Sequence, residues 1–255
     1  MKMNINMKKI VFFLLVQFFA LTLYAQDTAI KEAEAAYTKE DYGKAIELYE
    51  NLLKSNGPSA AIYYNLGNAY YKANKIAPAI LNYERALVLD PGDSDIRFNL
   101  QLARQKSVDK IEPAGDFFLT EWFKAIQNSA SADSWAKIGI VCFILFIGCL
   151  TLFFFSKYIR LKKIGFYAGL LLLVVVIFSN IFGSHQKNEI MSRKNAIIFA
   201  PTVTIKSSPD ASGTDLFILH EGTKVSIKSK LGDWNEITTG DGSVGWIPVK
   251  DIEVI

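Results

Sequence analysis

The chain has 255 residues, 51% of them apolar, and a formal net charge of +3. That length holds two or three small modules, and so small and dispersed a charge excludes a nucleic-acid partner. Both cysteines, Cys142 and Cys149, fall in one apolar run, so the remaining segments have neither a disulfide nor a zinc cluster.

The first 25 residues read as a signal peptide. Lys2, Lys8 and Lys9 form a basic start, Ile10–Leu23 an apolar stretch, and Ala25 a small residue before the cut. An uncleaved anchor helix is the alternative. Either way, the chain that follows is expected to be exported.

Residues 26–93 repeat with a period of 34: Ala45 and Ala79, Ile46 and Ile80, Tyr49 and Tyr83 fall in register. A helix pair of that length resembles the tetratricopeptide repeat. The second unit, 60–93, carries the pattern in Tyr63, Leu66, Gly67, Tyr70, Ala79, Tyr83, Ala86 and Pro91. Small Gly67, Ala79 and Ala86 let helices approach, while Tyr70 and Tyr83 fill the space between turns. The first unit, 26–59, departs from it with Glu32-Ala33 and Gly57-Pro58, which suits an end unit facing water. Residues 94–106 read as one capping helix, so the array spans 26–108.

The resemblance implies that the first helix of each unit lines a concave groove for a protein segment. The matching positions are Glu34 and Tyr37, then Tyr64, Asn68, Tyr71 and Lys72, then Phe98 and Leu102 of the capping helix. Aromatic and amide side chains suit an extended peptide, held by stacking and backbone hydrogen bonds. The alternative is that Tyr64 and Tyr71 only pack the helix face. Asn65 and Asn68 resemble carboxylate-clamping residues of some family members, but the accompanying lysine pattern is incomplete.

Residues 109–134 form a juxtamembrane segment. Phe117, Phe118, Leu119, Trp122, Phe123 and Ile126 share one broad helical face, as in a helix lying at the headgroup level. A helix buried against the repeats is the alternative. Two apolar runs without a charge follow, Ile138–Phe155 and Ile164–Gly183. Each is long enough to cross a hydrocarbon core of roughly 30 Å. The expected membrane helices are 135–156 and 164–183, joined by a basic loop, 157–163. Lys157, Arg160, Lys162 and Lys163 place that loop in the cytoplasm. Both flanking segments are then expected in the periplasm. Residues 184–195 read as a polar linker.

Residues 196–255 alternate short β-branched runs with turn signals such as Ser208-Pro209, Glu221-Gly222 and Gly240-Asp241-Gly242. That spacing predicts a small all-β barrel. The order of Glu221-Gly222-Thr223-Lys224-Val225, Gly232-Asp233-Trp234 and Gly245-Trp246-Ile247 resembles bacterial SH3-like domains, which bind peptides or cell-wall glycopeptide. Trp234 and Trp246 are the candidate platform residues, with core packing as the alternative. His185 and His220 have no partner in motif spacing and read as ordinary surface residues.

The expected fold class is therefore a multidomain membrane protein: α-helical tetratricopeptide hairpins, a two-helix transmembrane hairpin and an SH3-like barrel. No nucleophile motif, phosphate loop or metal-ligand pair stands in the sequence, so no enzyme activity and no cofactor are expected. The module order resembles the repeat proteins of the Bacteroidetes aerotolerance (Bat) operon. That resemblance implies an inner-membrane complex with other Bat-type membrane proteins and, indirectly, a MoxR-type ATPase. The expected function is a membrane-anchored scaffold in contact with the bilayer and with protein partners. A tether to peptidoglycan, or an envelope sensor acting through the β module, is the alternative.

Overall fold

A computed structural model describes residues 28–111, 115 and 117–255. The signal-peptide expectation for 1–25 lies outside the described residues.

The repeat region is helical over residues 28–38 (α1), Tyr42–Asn56 (α2), Ala60–Lys72 (α3), Ile76–Leu89 (α4) and Ser94–Lys106 (α5). The 34-residue period extends to single backbone hydrogen bonds. Asp41 N–H donates to the Ala36 carbonyl and Glu40 N–H to Tyr37; one period on, Lys75 donates to Tyr70 and Asn74 to Tyr71. Each pair closes the first helix of a unit through a left-handed residue, Glu40 at φ 61° and Asn74 at φ 59°. Asp93 then caps α5, accepting from the N–H groups of Asp95 and Ile96 at 2.8 and 3.1 Å.

Gly67 shows why the second unit follows its pattern closely. A Cβ there would lie 2.7 Å from the Tyr83 ring, so only glycine lets α3 and α4 approach. The array has two cores. Ala33, Tyr49, Leu52, Ile62 and Leu66 pack the first; Ile80, Tyr83, Ile96 and Leu100 pack the second.

α6 (Phe118–Gln127) docks on the helices that follow it. The Trp135 indole donates to the Gln127 carbonyl at 2.9 Å, and the Gln186 amide to Gln127 and Ala130 at 2.7 and 2.9 Å. Phe182 packs beneath Phe123 and Trp135. Phe117, Phe118, Leu119 and Trp122 remain exposed, so this helix is not buried against the repeats.

α7 (Ala132–Phe155) and α8 (Ile159–Ser192) form the long hairpin. Both are long and apolar enough to cross a membrane. Their outward side chains are apolar as well: Ile144, Leu171 and Phe155 are 62%, 66% and 84% exposed. Small residues bring the two helices together. A Cβ on Gly165 would meet the Cys149 carbonyl at 2.8 Å, and one on Gly169 the Cys149 side chain at 3.4 Å. Two boundaries differ from the sequence reading. Residues 159–163, expected in the loop, open α8, leaving only 156–158 as the turn. Residues 184–192, expected as linker, continue α8 as a polar helix. Hydrophobicity ends at Gly183, but the helix runs through that glycine, and no Pro follows to stop it.

The C-terminal module is an antiparallel sheet. Its strands are β1 (Asn195–Ile198), β2 (Thr202–Lys206), β3 (Asp215–His220), β4 (Lys224–Leu231), β5 (Trp234–Thr238), β6 (Val244–Pro248) and β7 (Ile252–Val254). The order is β3-β2-β6-β5-β4-β1-β7. This corrects the expected barrel: the sheet is open, because edge strands β3 and β7 do not pair. β2 meets β6 at one pair, Lys206 with Trp246, and β7 has three residues. At the outer edge of β3, the N–H of His220 is taken by the Asp109 carboxylate at 2.7 Å instead of by a strand. Ala196, Ile198, Ile205, Ile237 and Ile247 fill the sheet's buried side.

Candidate functional site

α1, α3 and α5 stand side by side, so residues 34 apart form rows across them. Glu34, Asn68 and Leu102 make one row; Tyr37, Tyr71 and Gln105 another; Lys31, Asn65 and Asn99 a third. The expected groove residues are thereby brought together. Asn68 Oδ1 accepts from the Tyr83 hydroxyl at 2.7 Å and from the Asn99 amide at 2.9 Å, and Asn99 also donates to the Tyr64 hydroxyl at 2.9 Å. This network locks the middle of the groove. Tyr64 and Tyr71 are half-buried and pack against the second core, as the packing alternative expects. The Lys106 ammonium sits 4.2 Å from the centre of the Tyr71 ring. Lys72 is exposed in the last turn of α3, Leu102 is half-buried, and Phe98 is 61% exposed.

At the α1 end, Glu34, Tyr37, Thr38, Tyr49, Asn65 and Asn68 line a cavity of about 300 Å³. Burial, then the Glu34 charge, pushes the Tyr49 hydroxyl up to about 12, so it stays a neutral phenol. Tyr49 and Asn99 were legible in the sequence as the period-mates of Tyr83 and Asn65.

The β module docks on α4, leaving the groove helices open. Ile197 of β1 enters the second core beside Ile80. Gly222, in the left-handed region at φ 85°, lets the β3–β4 turn close on α4; a Cβ there would lie 3.0 Å from Ile80. Glu84 of α4 is 1% exposed. Its carboxylate receives Lys224 of β4 at 2.8 Å and also pairs with Arg104 of α5. Burial drives the Glu84 carboxyl up, but the two cations outweigh it and hold it below its usual range.

A second polar knot joins the segment after α5 to the sheet. Asp109 accepts from the His220 N–H and the Thr223 hydroxyl, both at 2.7 Å, and lies 2.8 Å from the His220 ring nitrogen. Burial again raises the carboxyl; the Thr223 and His220 hydrogen bonds prevail and hold it low. His220 is thus an interface residue, not the ordinary surface histidine expected. His185 likewise has a partner, the Gln127 amide at 2.9 Å. Next to Glu84 on α4, Arg85 donates to the Val254 carbonyl at 2.6 Å.

Trp234 and Trp246 are half-buried on the face of β5 and β6 opposite Ile237 and Ile247. Trp234 pairs with Pro248, and Glu236 with Trp246, so the two rings lie diagonally on one outer face. Core packing does not describe them.

Residues 30–94 match the tetratricopeptide repeat family. The N-terminal module is a tetratricopeptide-repeat domain. A 67-residue stretch is 34% identical to the peroxisomal targeting signal receptor of Saccharomyces cerevisiae, covering 26% of this chain and 11% of that one. The chain therefore spans only 11% of that relative's length. The tetratricopeptide domain of Sgt2 from Aspergillus fumigatus shares 26% identity over 41% of this chain and 61% of that chain, with a TM-score of 0.31.

Proposed function

We propose that this chain is a non-enzymatic, membrane-anchored adaptor that holds an extended segment of a protein partner in the groove of α1, α3 and α5. The observation that carries this reading is the row structure of that groove. Tyr37, Tyr64 and Tyr71 stand with Asn65, Asn68 and Asn99, while Phe98 is left 61% exposed. Tetratricopeptide domains supply such surfaces for protein binding. The β module braces α4 and offers a second surface.

The hairpin is the anchor, in an inner membrane. Lys157, Arg160, Lys162 and Lys163 at its tip favour the cytoplasm for that end. The repeats and the sheet, docked together at the other end, then occupy the periplasm. The finer reading, a place among Bat-type membrane proteins with a MoxR-type ATPase, rests on the order of modules together with the Thr214-Asp215-Leu216-Phe217 and His220-Glu221-Gly222-Thr223-Lys224-Val225 stretches. The test is quantitative affinity purification from membranes, with Tyr64→Ala/Phe98→Ala beside the wild type. Partners present with the wild type and lost with the variant support the adaptor. An identical set from both contradicts it.

The shared outer face of Trp234 and Trp246 favours a second reading, a peptidoglycan contact by the sheet. Murein sacculi would retain the full chain and release Trp234→Ala/Trp246→Ala. Equal retention of both would remove this reading.

A further inference from the structure

The cavity at the α1 end of the groove has a chemistry that the rest of the groove lacks. Among the described residues that line it, Glu34, Tyr37, Thr38, Tyr49, Asn65 and Asn68, only Glu34 carries a charge. Two phenol rings and two amides make up most of the remaining wall. Its volume of about 300 Å³ holds one long side chain and no folded element. We propose that this cavity is a specificity pocket for a cationic side chain, lysine or arginine, of the bound partner segment.

Glu34 would take the ammonium or guanidinium in a charge-assisted hydrogen bond. Tyr37 and Tyr49 line the wall beside it. Tyr49 is 2% exposed and its ring is fixed in the first core, so that wall is preorganised. Asn68 is held by Tyr83 and Asn99, which fixes the floor between α1 and α3. An acidic side chain would meet the Glu34 carboxylate with no cation among the described lining residues. A neutral apolar one would strip water from the two amides without replacing it. Lys72 and Lys106 stand in the row of Thr38, on the neighbouring helices, so the groove is cation-accepting at α1 and cation-bearing at α3 and α5.

This inference rests on the groove being the partner-binding surface, and the test separates the two. Fluorescein-labelled decapeptides of Ser, Asn and Leu, with a single central Arg, citrulline or Glu, are titrated against the full chain in nanodiscs by fluorescence anisotropy. Citrulline keeps the shape of arginine and removes its charge. The expected result is binding of the Arg peptide about tenfold tighter than the citrulline peptide. Glu34 is exposed, so Glu34→Gln leaves the fold intact; it should bring the two affinities together. Glu34→Lys should reverse the order in favour of the Glu peptide. Equal binding of all three peptides to the wild type, lost in Tyr64→Ala/Phe98→Ala, would overturn the cation pocket and leave the groove standing. No binding of any peptide at millimolar protein would count against both.

Discussion

Glu84 and Lys224 meet at 2.8 Å although 140 residues separate them in the chain. The contact joins the back of the repeat array to the sheet, and it has a counterpart one period earlier. Glu50 accepts from the Tyr70 hydroxyl within the array; one period on, Glu84 stands at the place of Glu50 and Arg104 at that of Tyr70. The repeat supplied a buried carboxylate, and the sheet added the second cation.

Lys224→Met should therefore destabilise the full chain more than Glu84→Gln does. Breaking a buried pair costs roughly 3–5 kcal/mol when the survivor stays charged and dry. Arg104 still faces Glu84, so a loss of about 2 kcal/mol is expected for Lys224→Met. Glu84→Gln leaves both cations with partial access to water, since their side chains are 37% and 49% exposed. Denaturant titration in detergent, with the double variant closing the cycle, measures the coupling.

Acid should undock the sheet from the repeats. Glu84 and Asp109 both have folded-state values below their ordinary 4.5 and 3.8. A carboxyl lowered by folding contributes stability that is fully present above its unfolded value and lost as pH falls through its folded value. Energy transfer between dyes on α5 and β4 should hold steady from neutral pH to about 5 and fall below about 4. A signal that is flat through the acid range would contradict this reading of the interface.

Gly67→Ala tests the close approach of α3 and α4. Its Cβ would lie 2.7 Å from the Tyr83 ring, whose hydroxyl is tied to Asn68. The ring cannot swing away without breaking that bond, so a loss of about 1–3 kcal/mol is expected from thermal unfolding. The first unit already carries alanine at this position, Ala33, fully buried beside Tyr49. Ala33→Gly should cost about 2 kcal/mol, from the helix propensity of glycine and the loss of a buried methyl group.

Much of this architecture was legible in the residues, and the misses share one cause. The 34-residue period foretold the helices, the Gly67 contact and the end of the capping helix at Lys106. Two apolar runs foretold two long helices, but composition marks where lipid-like character ends, not where a helix stops; α8 runs on to Ser192. The Gly165 and Gly169 spacing on α8 is a helix-packing stripe, masked in the sequence by the large apolar residues around it. The Glu84–Lys224 and Asp109–His220 contacts left no local signal, because each joins residues more than 100 positions apart. An open sheet and a closed barrel likewise share the same strand spacing; only the pairing of β3 and β7 separates them.

The hairpin packing gives a covalent test. Gly169→Cys would place its Cβ 3.4 Å from that of Cys149, within reach of a disulfide. Mild oxidation of membranes should cross-link the two helices; after cleavage at an engineered site in the 156–158 turn, the halves should migrate together. Adding Gly165→Ile, which collides with the Cys149 carbonyl, should abolish the bond.

The placement of both modules at one end of the hairpin, outside the cytoplasm, is the claim on which the adaptor reading stands. Single cysteines introduced at Gln105 and Gly240, and one at Lys157 in the tip, can be probed with a membrane-impermeant maleimide after Cys142→Ser and Cys149→Ser. In spheroplasts, Gln105→Cys and Gly240→Cys should label before lysis, and Lys157→Cys only after it. Labelling of Lys157→Cys before lysis, with the other two protected, would contradict the account.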